Sequence, residues 1–243
     1  MGIFKWFQAK SSSTTTMHPS ARKNCQRFFT TYGPKPEAAV SGTFRVGEVG
    51  AQDVNGSLRD VCPAGASYVG FDLQVGPNVD LVMPDPYKIP VANDTFDVIL
   101  STSCFEHVPM FWLLFQEILR VLKPDGLLYL CAPANGKFHR HPLDCWRFYP
   151  DSGLALVEWG KRCGYSPALM ESYTSQQDGD AWNDFVAVFL KEDRHAPKHS
   201  RRIVDTFNHY DNGIVFGEKM FRQHQALVED QRHLKLLNKA YQA

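Results

Sequence analysis

The sequence predicts an α/β fold, a mostly parallel sheet flanked by helices. Three observations predict it. Short apolar runs alternate with helical patterns from Phe44 to Leu190. Turn-forming residues punctuate them, as at Gly33-Pro34-Lys35-Pro36 and Lys123-Pro124-Asp125-Gly126. The chain has 243 residues, 44% of them apolar, enough for one large core. Strands separated by helices are joined as parallel pairs through right-handed crossovers.

The first element is a helix from Pro19 to Tyr32, with Ala21, Cys25, Phe28 and Phe29 at helical spacing. Phe44 to Val49 reads as a strand, followed by a turn-rich stretch and a short helix over Ser57 to Val61. Strands are expected at Ser67–Phe71, ending on Asp72, and at Asp80–Met83. Asn93-Asp94 introduces a buried strand, Phe96–Ser101. The long helix Pro109–Leu122 carries one apolar stripe through Phe111, Leu114, Phe115, Ile118 and Leu122, and Pro109 suits its first turn. Leu127–Ala132 is a further strand, and a helix over Ser152–Cys163 ends at the capping Gly164. Phe185–Leu190 is read as the last strand. Beyond it, Lys219 to Tyr241 looks like an amphipathic helix, suited to cap a site or to pair with a second copy as a homodimer. The organisation expected is a flexible segment over residues 1–18, a domain over 19–192 and a partly helical extension over 193–243.

Composition narrows the function. Lys and Arg total 26, as do Asp and Glu, so net charge gives no general hold on nucleic acid or on an anionic membrane. The six cysteines include no C-x-x-C pair, which removes the usual metal-ligand spacing; they read as reduced thiols of a cytoplasmic protein. No apolar run approaches the roughly 20 residues of a membrane span. Met1 to Phe7 lacks the features of a signal peptide, and Trp6 stands where a myristoylation motif wants Ser or Thr.

The residues that carry chemistry fall at the ends of strands, where ligands of such sheets bind. Val46-Gly47-Glu48-Val49-Gly50-Ala51-Gln52 places a small residue after the first strand, so that backbone can approach a ligand closely. Asp72 lies about twenty residues past that turn, at the distance of a carboxylate that accepts ribose hydroxyls. Asp85-Pro86 precedes the fourth strand, and Ser101-Thr102-Ser103-Cys104-Phe105-Glu106-His107-Val108 follows it. A nicotinamide cofactor would suit Asp72 equally, but no G-x-G-x-x-G opens a helix to cradle a pyrophosphate.

In order and spacing these segments resemble the class I S-adenosylmethionine-dependent methyltransferases, in particular the type 11-like small-molecule branch, over Phe44 to Leu190. The resemblance implies a Rossmann-like sheet and S-adenosyl-L-methionine as cofactor. It implies that Glu48, Gly50 and Gln52 border the methionine part, that Asp72 with Leu73 holds the ribose side, and that Asp85 and Pro86 meet the adenine. Ser103 would line the same cleft. Phe105 to Val108 is similar to the family's Leu-Glu-His-Val segment, and Arg120 to Gly126 to its Arg-x-Leu-Lys-Pro-Gly-Gly turn. The sequence departs from the family's glycine loop in one respect: Gln52 and Val54 stand where second and third glycines are usual, and Asn55-Gly56 offers the tight turn one step later.

The stretch Pro133 to Pro150 mixes imidazoles, a carboxylate, guanidiniums and aromatics after a strand, so it overhangs the same cleft. Its aromatics suit stacking on a ring, and His141, Asp144, Trp146 and Arg147 suit recognition of a polar acceptor. It loosely resembles His-Arg/His-x-Pro-x-Asp-x-Trp-Arg segments of methyltransferases that modify glycans, which points to a sugar. His107 and His139 are the candidate catalytic bases for a hydroxyl acceptor. Two competing readings exist. One is a cofactor-binding or scaffold protein without catalysis; the other is a metal-dependent hydrolase using His139, His141 and Asp144. The leading reading needs no metal and takes a small-molecule partner.

Overall fold

A computed structural model describes residues 19–34, 44–53, 56–179 and 181–242. The expectations for residues 1–18, and for Val54 and Asn55 of the glycine loop, lie outside the described residues. Eight strands form one sheet in the order β3-β2-β1-β4-β5-β7-β6-β8. They are β1 (Arg45–Val49), β2 (Ser67–Asp72), β3 (Leu81–Val82), β4 (Phe96–Thr102), β5 (Leu122–Pro133), β6 (Ala168–Ser175), β7 (Asp184–Leu190) and β8 (Tyr210–Val215). The helices are α1 (Pro19–Tyr32), α2 (Phe111–Val121), α3 (Asp151–Arg162) and α4 (Glu229–Tyr241). Residues 59–61, expected as part of a short α-helix, form a single 3-10 turn.

The five strands from β3 to β5 pair in parallel. The rest pair antiparallel. This corrects the reading of Phe185–Leu190 as the last strand: β8 follows it, and it pairs antiparallel with β5 and β6. It follows β6 through a loop too short for a crossover, so it turns back as a hairpin partner. β6 and β8 are the strands that the periodicity misses.

Helices cover both faces, so the central strands are apolar on both sides. Along β5, Leu128, Leu130 and Ala132 face α2 and α3, where Phe96, Phe115, Phe148, Phe185 and Phe189 pack. Leu127, Tyr129 and Cys131 face α1, against Cys25, Phe28 and Tyr173. Each such fully buried side chain contributes about 1.5–3 kcal/mol. α2 starts at Phe111 rather than Pro109, with Met110 at its N-cap. α3 ends as the sequence suggests: Gly164 sits at φ +86°, and the Tyr165 amide returns to the Gly160 carbonyl at 3.0 Å.

Glu171 of β6 ties the segment beyond β7 to the sheet. Its carboxylate accepts the Tyr32 hydroxyl at 2.6 Å and the amides of Ile203 and Val204 at 2.7 and 3.0 Å. The helix expected from Lys219 begins only at Glu229. Its first turn is anchored at the rim of the sheet, where Glu229 accepts from Asn183 at 2.7 Å and Asp230 from Asn135 at 2.6 Å. Leu234, Leu236, Leu237 and Tyr241 further along it are exposed.

Candidate active site

The strand order reverses between β1 and β4, and ligands of doubly wound sheets bind at the carboxyl ends around such a reversal. Gly50 follows β1 with φ +81°, a conformation that disfavours any side chain. A Cβ there would lie 2.7 Å from Cβ of Cys104, so the absent side chain lets the loop after β1 close against the loop after β4. The amides of Gly50 and Ala51 both reach the Phe71 carbonyl at 3.0 Å, which fixes the loop to the end of β2.

Asp72 is half-buried at that end. Its Oδ2 accepts the Gln52 amide at 3.1 Å and its Oδ1 the Leu73 amide at 2.7 Å. A carboxylate offers about four lone-pair positions, so Asp72 retains acceptor capacity toward the cleft. Beside it Leu73 is 43% and Val75 83% exposed, an apolar ledge suited to one face of a purine. Asp85 is exposed and caps its own turn, accepting the Tyr87 amide at 2.8 Å, with Pro86 half-buried next to it. Gln52 packs against Gly76, where a Cβ would lie 2.9 Å from its Nε2. These residues fit a nucleoside with an attached amino acid: a carboxylate for hydroxyls, an apolar ledge for a base and a tight turn beside it.

Glu48 lies away from open solvent. It accepts the Tyr68 hydroxyl, which in turn accepts from Asn78 at 3.1 Å. Burial pushes its carboxyl up to about 8, with Asn78 and Arg59 pulling the other way. The folded protein therefore holds this proton while the unfolded chain, at an ordinary carboxyl value of about 4.3, has lost it. The corresponding stability is full at low pH and declines as pH rises through about 8. Glu48→Gln stays neutral throughout. Its melting temperature is expected to fall less steeply between pH 5 and 8.5 than that of the wild type, a difference on the order of 1–3 kcal/mol at the alkaline end. Parallel stability curves for the two proteins would show that Glu48 ionises freely.

Past β4 the chain makes a tight turn through Ser103, at φ +49°, into a 3-10 turn over Phe105–His107. Glu106 is 1% exposed, and its Oε2 has no hydrogen-bond partner among the described residues. Burial raises its carboxyl to about 8. The His107 ring is held by its Nδ1 against the Leu143 carbonyl, and burial lowers its pKa.

The loop over residues 134–150 folds back over this turn. The amides of Cys145 and Trp146 both bond the Glu106 carbonyl, at 2.7 and 3.2 Å. His139 lies with its ring 5.0 Å from that of His107, and His141, which precedes a cis peptide to Pro142, lies 6.1 Å from it. The Trp182 ring stands 5.4 Å from His139. Trp146 donates to the Val108 carbonyl at 3.1 Å and packs on Phe111 and Trp112. The loop thus brings His139 and His141 against His107, with Trp146 packed on the start of α2.

Asp144 and Arg147 stand differently. The Asp144 side chain is 1% exposed and accepts Nη1 of Arg147 at 2.5 Å, Nη2 at 2.9 Å and the His139 amide at 2.7 Å. The guanidinium beside it holds its carboxyl down at about 2. Arg147 also donates to the Lys137 carbonyl at 2.9 Å. This pair braces the loop rather than facing an acceptor. The cluster of His139, His141 and Asp144 that a hydrolase would use does not form, because Asp144 is turned to Arg147. The sequence reading gave Glu106 no role; its signal was a carboxylate next to His107 in an otherwise apolar run.

Residues 48–130 match the methyltransferase domain family. An uncharacterized methyltransferase of Mycobacterium ulcerans is 33% identical over 134 residues, 55% of this chain and 49% of that protein. Another, of Mycobacterium avium, is 29% identical over 157 residues, 62% of this chain and 57% of that protein. The chain thus spans about half the length of the curated relatives it matches. In fold it is similar to a 1,6-didemethyltoxoflavin-N1-methyltransferase of Burkholderia thailandensis, crystallised with S-adenosylhomocysteine. The TM-score is 0.51 at 17% identity, over 72% of this chain and 79% of that one. Residues 48–130 thus carry a likeness to a methyltransferase domain, and the sheet has the fold of that S-adenosylhomocysteine-bound enzyme.

Proposed function

We propose that the protein transfers the methyl group of S-adenosyl-L-methionine to a hydroxyl of a small polar acceptor, a sugar or a sugar-linked metabolite. The observation that supports this most is geometric. His107, on the turn after β4 that abuts the glycine loop, and His139, on the Trp146-bearing loop after β5, bring their imidazoles together near Trp182. Aromatic rings suit the apolar face of a sugar ring, and imidazoles suit its hydroxyls.

The cofactor supplies an electrophilic methyl on a sulfonium. The chain supplies alignment, which alone contributes much of the rate in such transfers. Asp72, Leu73 and Asp85 hold the nucleoside end. His107, oriented by the Leu143 carbonyl, and His139, carried by the braced loop, meet the acceptor hydroxyl and receive its proton. The six free thiols suit a reducing cytoplasm, and no helix among the described residues is long and apolar enough to cross a membrane. A second copy is the partner proposed for the exposed face of α4.

The test is release of S-adenosylhomocysteine from the purified chain offered free and nucleotide-linked sugars, alongside calorimetry of cofactor binding. Turnover with a hydroxylic acceptor is expected. Tight cofactor binding with no turnover on any such acceptor would favour a scaffold, and methylation confined to nitrogen acceptors would remove the sugar.

A further inference from the structure

Glu106, His107 and His139 each bring one ligand-type atom to a place where all three lie within 4.8 Å of one another. We propose that these residues hold a single divalent transition-metal ion on the acceptor side of the cleft, a site with open positions for oxygen ligands. Two imidazoles and one carboxylate form a donor set that suits zinc, iron(II) and their neighbours.

Four features of the surroundings carry this. First, spacing: ligand atoms 2.0–2.2 Å from one tetrahedral ion stand roughly 3.3–3.6 Å apart. Glu106 Oε1 and His107 Nε2 are already 3.7 Å apart. The remaining contraction falls on His139, which sits on a loop with 32% of its side chain exposed.

Second, the tautomers are set for it. The Nδ1 of His107 meets the Leu143 carbonyl, so Nδ1 carries the hydrogen and Nε2 keeps its lone pair toward Glu106. The Nδ1 of His139 lies 3.2 Å from the Lys137 carbonyl, 3.5 Å from Asp144 Oδ2 and 3.5 Å from Arg147 Nη2; with its hydrogen turned to the carbonyl, Nε2 is the ligand atom. A ligating histidine donates its other ring N–H to a carbonyl or carboxylate in just this manner.

Third, one oxygen of Glu106 lacks a counterpart. Its carboxyl is buried and Oε2 has no hydrogen-bond partner among the described residues. A buried carboxyl oxygen without a partner is costly, and an ion would satisfy it. Arg147, the guanidinium that acts on Glu106, is committed to Asp144 through both terminal nitrogens. Fourth, the fold redistributes the pattern His139-x-His141 with Asp144. Asp144 becomes the outer brace of His139 rather than a ligand.

Three protein ligands leave one or more positions open. Hydroxyl oxygens of an acceptor suit them, and in that case His107 and His139 present the hydroxyl through the ion instead of receiving its proton directly.

The experiment strips the full chain with a chelator, then titrates Co2+ while following its visible absorption, and Zn2+ by calorimetry. One ion per chain is expected. His139→Ala and Glu106→Gln should each weaken it by more than about tenfold, with His141→Ala close to wild type. His139→Ala changes a loop residue and keeps the test valid if Glu106→Gln fails to fold. Absence of stoichiometric binding overturns the proposal, as does binding that survives His139→Ala. Cofactor affinity, measured on the same stripped protein, reports separately on the methyltransferase reading: a chain that binds S-adenosylmethionine but no metal loses only the metal site.

Discussion

Asp72→Ala is expected to weaken S-adenosylmethionine binding by about a hundredfold, close to 2.7 kcal/mol. Two effects add. The charged acceptor for the ribose hydroxyls is lost, and each charge-assisted hydrogen bond contributes about 1.5–3 kcal/mol. The Gln52 amide also loses its acceptor at 3.1 Å, so the loop after β1 is no longer held to the end of β2 by this side chain. The fold should persist, because the Gly50 and Ala51 amides still reach the Phe71 carbonyl. Asp72→Asn separates the two effects. It keeps an acceptor for Gln52 but removes the charge, so its loss in affinity should be intermediate. Calorimetry on the three proteins checks this, and an unchanged dissociation constant for Asp72→Ala would remove Asp72 from the cofactor site.

The parallel half of the sheet was legible in the sequence because its signals are local. Pro19 to Tyr32 carries a complete helical period and the observed α1 has the same bounds. β4 is an apolar run introduced by turn residues, and Leu127–Ala132 is the apolar part of β5, which begins earlier, at Leu122, and runs through the Lys123-Pro124-Asp125-Gly126 expected as a turn. The antiparallel half was not legible, for reasons visible in particular residues. β6 places Glu171 in the middle of a buried strand, and its partners, Tyr32, Ile203 and Val204, lie far away in sequence. In β8, Asn212-Gly213 reads as a turn, yet both residues pair with a following segment through Gln223 and Arg222. Around the cleft, the residue types and their order were legible. The direction of each side chain was not. Asp144 and Arg147 stand three apart and suit a substrate as well as each other; only the path of the loop, pinned by the Glu106 carbonyl to the amides of Cys145 and Trp146, turns them inward.

That inward turn gives Asp144→Ala and His139→Ala different expected effects on stability, although the two residues touch. The Asp144 side chain accepts three hydrogen bonds while 1% exposed. Removing it leaves the His139 amide without its acceptor and the Arg147 guanidinium with only the Lys137 and Trp146 carbonyls. Arg147 keeps 24% of its side chain exposed, so water recovers part of the loss. A destabilisation of about 2–3 kcal/mol follows. For a chain of this length that lowers the melting temperature by about 4–12 °C. Acceptor turnover should fall with it, since the loop that carries His139 loses its brace. His139→Ala removes a half-buried ring whose hydrogen bonds are long, 3.2 Å to the Lys137 carbonyl. Its melting temperature should stay within about 2 °C of wild type. Cofactor affinity should stay within a few-fold, because Asp72 and Asp85 are untouched. Turnover should fall at least about a hundredfold, the contribution of a group that handles the acceptor proton in the transition state. Thermal melting, calorimetry and turnover measured on both variants resolve the matter. If Asp144→Ala melts like the wild type while turnover collapses, Asp144 acts on the acceptor and its pairing with Arg147 gives way when substrate binds. If His139→Ala retains turnover, the acceptor site lies elsewhere in the cleft and both imidazoles leave the mechanism.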